Sequence, residues 1–154
     1  MKHVFLSFCI LYAGFSFSQE ETIVIKDSLT ETIQNSQNAY NNAISAYKDG
    51  ENEAAEKLFT EAISLNPPFE AALYNRAIIR QSLSKKKEAI QDYEAITGIK
   101  DHKAPAYLGI AKIKFEEGDY SGSTKYLELQ LQKDSSNAEA NYLKASIFFY
   151  NKDY

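Results

Sequence analysis

The stretch SQNAYNNAISAYKDGENEAAEKLFTEAISLNPPF, residues 36–69, decides the fold of this 154-residue chain. Tyr40, Ile44 and Tyr47 are spaced by four and three, which places them on one face of an α-helix. Gly50 then interrupts the pattern. A glycine suits the position just past a helix end, where a left-handed backbone is cheap only without a Cβ. After it Ala54, Ala55, Leu58, Phe59, Ala62, Ile63 and Leu65 form a second apolar stripe at helical spacing. Asn66 precedes Pro67-Pro68, and proline disfavours helix both at itself and at the residue before it. The stretch therefore predicts helix, tight turn, helix and short connector.

The same pattern recurs downstream. Small residues stand at Ala43, Ala77, Ala111 and Ala145, each 34 positions after the last. Twelve residues beyond the first three lie Ala55, Ala89 and Ser123, again small, and four further on Phe59, Tyr93 and Leu127, all large. Gly50, Ser84 and Gly118 punctuate each pair of small columns. One size class held at one period in several columns is the mark of a repeat architecture. Ser28 to Glu31 and Ser136 to Glu139 each fit a capping box at a helix start, and Pro105 fits a first helical turn.

These columns resemble the tetratricopeptide repeat, a 34-residue antiparallel helix pair. Counted from Ser36, the small places 8 and 20, the large place 24 and the proline at place 32 of that family are Ala43, Ala55, Phe59 and Pro67. Ala77, Ala89 and Tyr93 match in a second repeat, and Ala111, Ser123 and Leu127 in a third. Asp101 and Ser135 replace the proline, Ser84 and Lys152 the turn glycine, and Gln130 the small residue of place 27. The last should weaken the third packing seam. The resemblance implies an all-α chain, an α-solenoid of three helix pairs plus one extra helix, with repeats at 36–69, 70–103 and 104–137 and a partial unit at 138–154. The strict period and the acidic charge set aside the 35-residue pentatricopeptide repeat, an RNA reader.

Seventeen basic against 21 acidic residues give a net charge of -4, so the chain has no general attraction for phosphate backbones; no nucleic-acid partner is expected. Residues 1–18 read as an export signal. Lys2 is the basic start, Val4 to Phe17 is an uncharged and mostly apolar run, and Ser16 and Ser18 are small residues where a signal peptidase would cut, before Gln19. Fourteen helical residues span roughly 21 Å, short of the ~30 Å hydrocarbon core, so no stable membrane insertion is expected after cleavage. Removal of Lys2 leaves 16 basic residues against 21 acids and a net charge of -5. Removal of Cys9 takes the only cysteine, so the mature chain forms no disulfide. The expected location is periplasmic or secreted. Residues 19–35 are a lead-in, either a tether or an early start of the first helix near Leu29.

No catalytic constellation is legible. His102, the one histidine after residue 18, stands between Asp101 and Lys103, too few ligands for a zinc site. Gly118 to Gly122 is a repeat turn and not a nucleophile elbow, because Ser121 is one place late and no strand precedes it. Lys85, Lys86 and Lys87 are the one basic cluster and read as a solvated helix start. Neither metal nor cofactor is expected.

The resemblance implies that the first helix of each pair lines a concave face and that places 5, 9 and 12 meet ligands. The candidate peptide-binding groove is then Tyr40, Ile44, Tyr47, Tyr74, Ile78, Gln81, Leu108, Lys112, Phe115, Tyr142 and Phe149, mostly aromatic and aliphatic, with some rings also packing between helices. A basic carboxylate clamp is not expected. Asn75 could be one element, but Tyr40, Ile44, Pro105 and Gly109 stand where its other residues belong. The last helix carries Tyr142, Ile147, Phe148, Phe149 and Tyr150 in an unfinished fourth unit, which invites self-association. The function expected is a non-catalytic scaffold for a peptide or partner protein. The alternatives are the N-terminal repeat segment of a larger sensory or envelope-assembly protein and, less in keeping with the residues, a small hydrolase or metal enzyme.

Overall fold

A computed structural model describes the backbone of residues 3–101 and 105–152 and the side chains of 25–101 and 105–150. The export signal at 1–18 and His102 lie outside the residues whose side chains are described. The described residues form helices and no strand: α1 (His3–Lys48), α2 (Asn52–Leu65), α3 (Glu70–Ser82), α4 (Lys86–Thr97), α5 (Ala106–Glu116), α6 (Tyr120–Lys133) and α7 (Ala138–Lys152). Each packs on its neighbours in chain order, from α1 on α2 to α6 on α7. This is the all-α solenoid that the repeat implies.

The three turns inside the helix pairs are one motif repeated. After α1, Gly50 N donates to Tyr47 O and Glu51 N to Ala46 O, at 3.1 and 2.9 Å, which closes a Schellman motif on the last carbonyls. After α3, Ser84 N donates to Gln81 O and Lys85 N to Arg80 O; after α5, Gly118 N donates to Phe115 O and Asp119 N to Lys114 O. Gly50 and Gly118 sit at φ 82° and 76°, and Ser84 takes the same left-handed backbone at φ 60° in spite of its Cβ. The hydrogen bonds override the local preference there.

Two expected caps are corrected. Ser28 does not begin a helix: α1 runs through it, and its carbonyl accepts from Thr32 Oγ1 at 2.9 Å, because nothing in the lead-in breaks the helix. At α7 the cap is Asn137 rather than Ser136, with Asn137 Oδ1 accepting from Ala140 N at 2.9 Å. Ser136 instead turns its hydroxyl and its N–H to Asp134 Oδ1.

Ala43, Ala55, Ala77, Ala89, Ala111 and Ser123 are all fully buried at 0% exposure. Small side chains here let the helices of a pair meet closely, and Ser123 shows how closely: its hydroxyl donates to the backbone carbonyl of Ala111 at 2.8 Å. Large residues fill the spaces between. Phe59 and Ile79 centre a first cluster, Tyr93, Ile96, Ile110 and Ile113 a second, and Leu127 and Ile147 a third. Burying each such side chain is worth about 1.5–3 kcal/mol. The last member of the small column, Ala145, is exposed, as are Tyr142 (74%) and Phe149 (67%), because among the described residues no helix follows α7 to cover that face.

Charges join the first two pairs. Buried Asp92 on α4 accepts from Arg76 Nη2 at 2.6 Å and Arg80 Nη1 at 2.8 Å, and Arg80 Nε reaches Glu56 of α2 at 3.0 Å. Lys85, read from sequence as solvated, is instead held by Glu56 at 2.6 Å, and Lys86 pairs with Glu116 at 2.9 Å. Both lysines open α4, where the helix dipole disfavours cations, and these carboxylates offset that cost. Burial alone would raise the Glu56 pKa, but hydrogen bonds from Lys85 and Arg80, aided by their charges, outweigh it and hold the carboxyl below its ordinary value of 4.5.

Because the folded pKa of Glu56 lies below its unfolded one, its stabilisation is present above the ordinary value and is lost as pH falls through the folded one. Glu56→Gln should therefore be less stable than the parent at neutral pH. Urea unfolding repeated toward pH 3 should show that difference shrinking; a constant difference would exclude a charge origin. The third seam gives a second expectation. Gln130 is buried with its Oε1 lacking a hydrogen-bond partner among the described residues. Gln130→Met keeps the length, removes an orphan acceptor costing about 1–3 kcal/mol, and should raise the urea midpoint.

Candidate functional site

The first helices of successive pairs, α3 and α5, leave a cavity of about 300 Å³ between them. Tyr74, Ile78, Gln81 and Ser82 of α3 form one wall; Leu108, Gly109 and Lys112 of α5, with Pro105 before it, form the other. Tyr93 reaches in from α4 and Glu139 from α7. Five candidates named from their places in the repeat, Tyr74, Ile78, Gln81, Leu108 and Lys112, thus share one site. The spacing of four and three along α3 and of four along α5 turns them to the same side.

The geometry of the cavity depends on a contact that the repeat pattern does not announce. A Cβ built on Gly109 would meet the Tyr93 ring, 2.6 Å from Cε2 and 2.7 Å from Cε1. The absence of that atom lets a tyrosine of the second pair lie against the backbone of the third. Tyr93 is 2% exposed, meets Tyr74 edge-on at a centroid distance of 5.9 Å, and accepts a hydrogen bond from Gln81 Nε2 at 2.6 Å. Burial drives its pKa well above the ordinary tyrosine value, so it is a neutral phenol. Burial also raises Tyr74, with Lys112 opposing and Glu139 adding to the shift. Across the rim Lys112 Nζ and Glu139 Oε1 pair at 2.7 Å.

The remaining candidates are placed differently. Tyr40 packs between helices, stacked on Phe69 at 5.0 Å and edge-on to Phe59 at 5.5 Å. Its hydroxyl accepts from Asn75 Nδ2 at 3.0 Å, which engages the one residue that could have joined a carboxylate clamp. Ile44 is half-buried on the first cluster and Tyr47 is exposed. Phe115 lies against Tyr120 and Tyr150 at 5.4 and 6.0 Å, so it serves the join to α7. Tyr142 and Phe149 are outside the cavity, on the face of α7 that also carries Glu139, three and ten residues along. Tyr93, Pro105, Gly109, Ser82 and Glu139 were not among the candidates. Gly109, a glycine inside a helical run, was the available signal.

Among the described residues no three His, Cys, Asp or Glu side chains come together as a metal site, and no helix is long and apolar enough to cross a membrane.

No family model matches the chain. Over 104 residues it is 31% identical to the tetratricopeptide repeat and J domain-containing co-chaperone DNJ1 of Cryptococcus neoformans, covering 66% of this chain. The match takes in 20% of that protein, so the chain spans about a fifth of the length of its curated relative. Among solved structures the Arabidopsis OM64 TPR domain superposes with a TM-score of 0.69 at 23% identity, covering 77% of this chain and 98% of that one. The Yersinia enterocolitica type III secretion chaperone SycD, solved with a peptide of the translocator YopD, gives 0.61 at 20% identity over 72% of this chain and 85% of the other. The chain therefore has the tetratricopeptide-repeat fold.

Gly109→Ala tests the Tyr93 contact. In an open helix interior this change would stabilise by roughly 0.5–1 kcal/mol. Here the clash should reverse the sign, for a net loss of about 1–3 kcal/mol in thermal or urea unfolding. The near-ultraviolet circular dichroism, all tyrosine and phenylalanine in a chain without tryptophan, should change with it.

Proposed function

We propose that the chain is a non-catalytic scaffold that docks a segment of a partner protein along the face built from α1, α3, α5 and α7. The observation that carries this reading is the α3–α5 cavity, which gathers five side chains singled out by repeat position alone. A cavity with aromatic and aliphatic walls and a few converging polar groups is the usual form of a binding site. Tyrosines suit it, offering large contact area with a hydroxyl at low entropic cost. The likeness to a chaperone solved with a peptide supports the same reading. The partner is an extended or helical peptide segment with apolar side chains, for which the neutral rim sets no charge requirement.

The test is a crosslinking capture from the producing organism, run in parallel with the parent, with Ile78→Trp to fill the cavity, and with Gln91→Arg, at an exposed position of α4, as a control. Partners specific to the parent and the control should fall about tenfold with Ile78→Trp, the effect of losing ~1.4 kcal/mol at an interface centre. Equal capture by all three folded proteins would refute docking at this face.

A further inference from the structure

The floor of the α3–α5 cavity holds a hydrogen-bonding pair whose capacity the fold does not exhaust. Gln81 and Tyr93 make one bond to each other, with the carboxamide nitrogen 2.6 Å from the phenol oxygen. That leaves the phenol proton to donate and Gln81 Oε1 to accept. Turning the carboxamide over exchanges the roles, and in either orientation an acceptor stands beside a donor, with the second Nε2 proton as a further donor. The pair is held in place, since Tyr93 is clamped between Tyr74 and the Gly109 backbone. Above it stand the apolar walls of Ile78 and Leu108, Leu108 being only 5% exposed. At the mouth Lys112 and Glu139 neutralise each other.

We infer that this cavity is a subsite for one carboxamide side chain of the docked segment, a glutamine. The inference rests on the docking reading above and names what that face selects. A carboxylate brings only acceptors, an ammonium only donors and an aliphatic chain neither, whereas a carboxamide brings one of each to meet Tyr93 and Gln81. The methylenes of glutamine lie along Ile78 and Leu108. A volume of about 300 Å³ is at the lower limit of ligand sites and takes one side chain rather than a larger group. The neutral rim gives no charged competitor an advantage, and a site built to hydrogen-bond a group rejects analogues that lack it.

The probes are the N-acetyl methylamides of glutamine, glutamate, lysine and leucine, titrated into the isotope-labelled full chain and followed by amide resonances. All four share the same backbone amides, so a difference reports the side chain alone. The glutamine probe should shift Gly109, Gln81 and Tyr93 with half-saturation on the order of millimolar and at least about fivefold below the other three. Gln81→Leu should erase that preference. Gln81→Glu, which reverses the bond so that the carboxylate accepts from the Tyr93 hydroxyl and leaves only acceptors, should erase it too, and covers the case in which the leucine variant fails to fold. Equal affinity for all four probes would mean recognition of backbone alone and would overturn the subsite, as would tighter binding of any probe other than glutamine or no shift of these residues. The docking reading falls separately, if filling the cavity with Ile78→Trp leaves partner capture unchanged.

Discussion

Close approach between paired helices is the constraint on which everything else in this molecule rests. It is set by side chains too small to hold the backbones apart: Ala43 opposite Ala55, Ala77 opposite Ala89 and Ala111 opposite Ser123 in the repeat register, all fully buried. Where the hydroxyl of Ser123 reaches a carbonyl of the neighbouring helix, the proximity is visible as a hydrogen bond. Once the pairs are closed at these points, the large residues four places on fill the space between pairs. The first helices are then left with one side turned away from the core. A groove on that side is a by-product of how the pairs stack, before any ligand is considered.

Polar chemistry is layered onto that framework in two ways. The carboxylates of Asp92 and Glu56 draw Arg76, Arg80 and Lys85 into one network across α2, α3 and α4. Each buried charge there is answered by an opposite one, which is the condition for tolerating it. On the other side, tyrosine hydroxyls meet carboxamides, Tyr40 with Asn75 and Tyr93 with Gln81. The two pairings differ in setting. The first is packed among Phe59 and Phe69, while the second faces a cavity.

Columns of one size class made the helix pairs, their turns and the side of α3 and α5 that forms the cavity legible in the sequence. Such columns record constraints that recur, and Ala77 reads clearly because Ala43 and Ala111 stand 34 residues on either side. What escaped the sequence are contacts made once. The Asp92 network, the Gly109–Tyr93 contact and the packing of Tyr40 onto Phe69 each need a residue, Asp92, Gly109 or Phe69, whose type does not recur 34 positions away. Ser84 is intermediate: its column says turn, but only the hydrogen bonds around it show that a serine accepts the glycine conformation. Lys85 misled because its partner Glu56 lies 29 residues away. The export address at residues 1–18 remains a reading of sequence alone.

The missing Cβ of Gly109 has a consequence beyond fit. Part of one wall of the cavity is the Gly109 backbone, and its floor is a ring wedged against that backbone, so neither has a rotor left to be frozen when something enters. Ordering a rotamer-rich side chain at an interface costs about 0.5–1.5 kcal/mol, and this floor is spared that cost. Such a pocket does not remould itself around a succession of guests. Its floor is preorganised, and differences in affinity among segments that dock there, on the proposed reading, should show mainly in how slowly each one leaves.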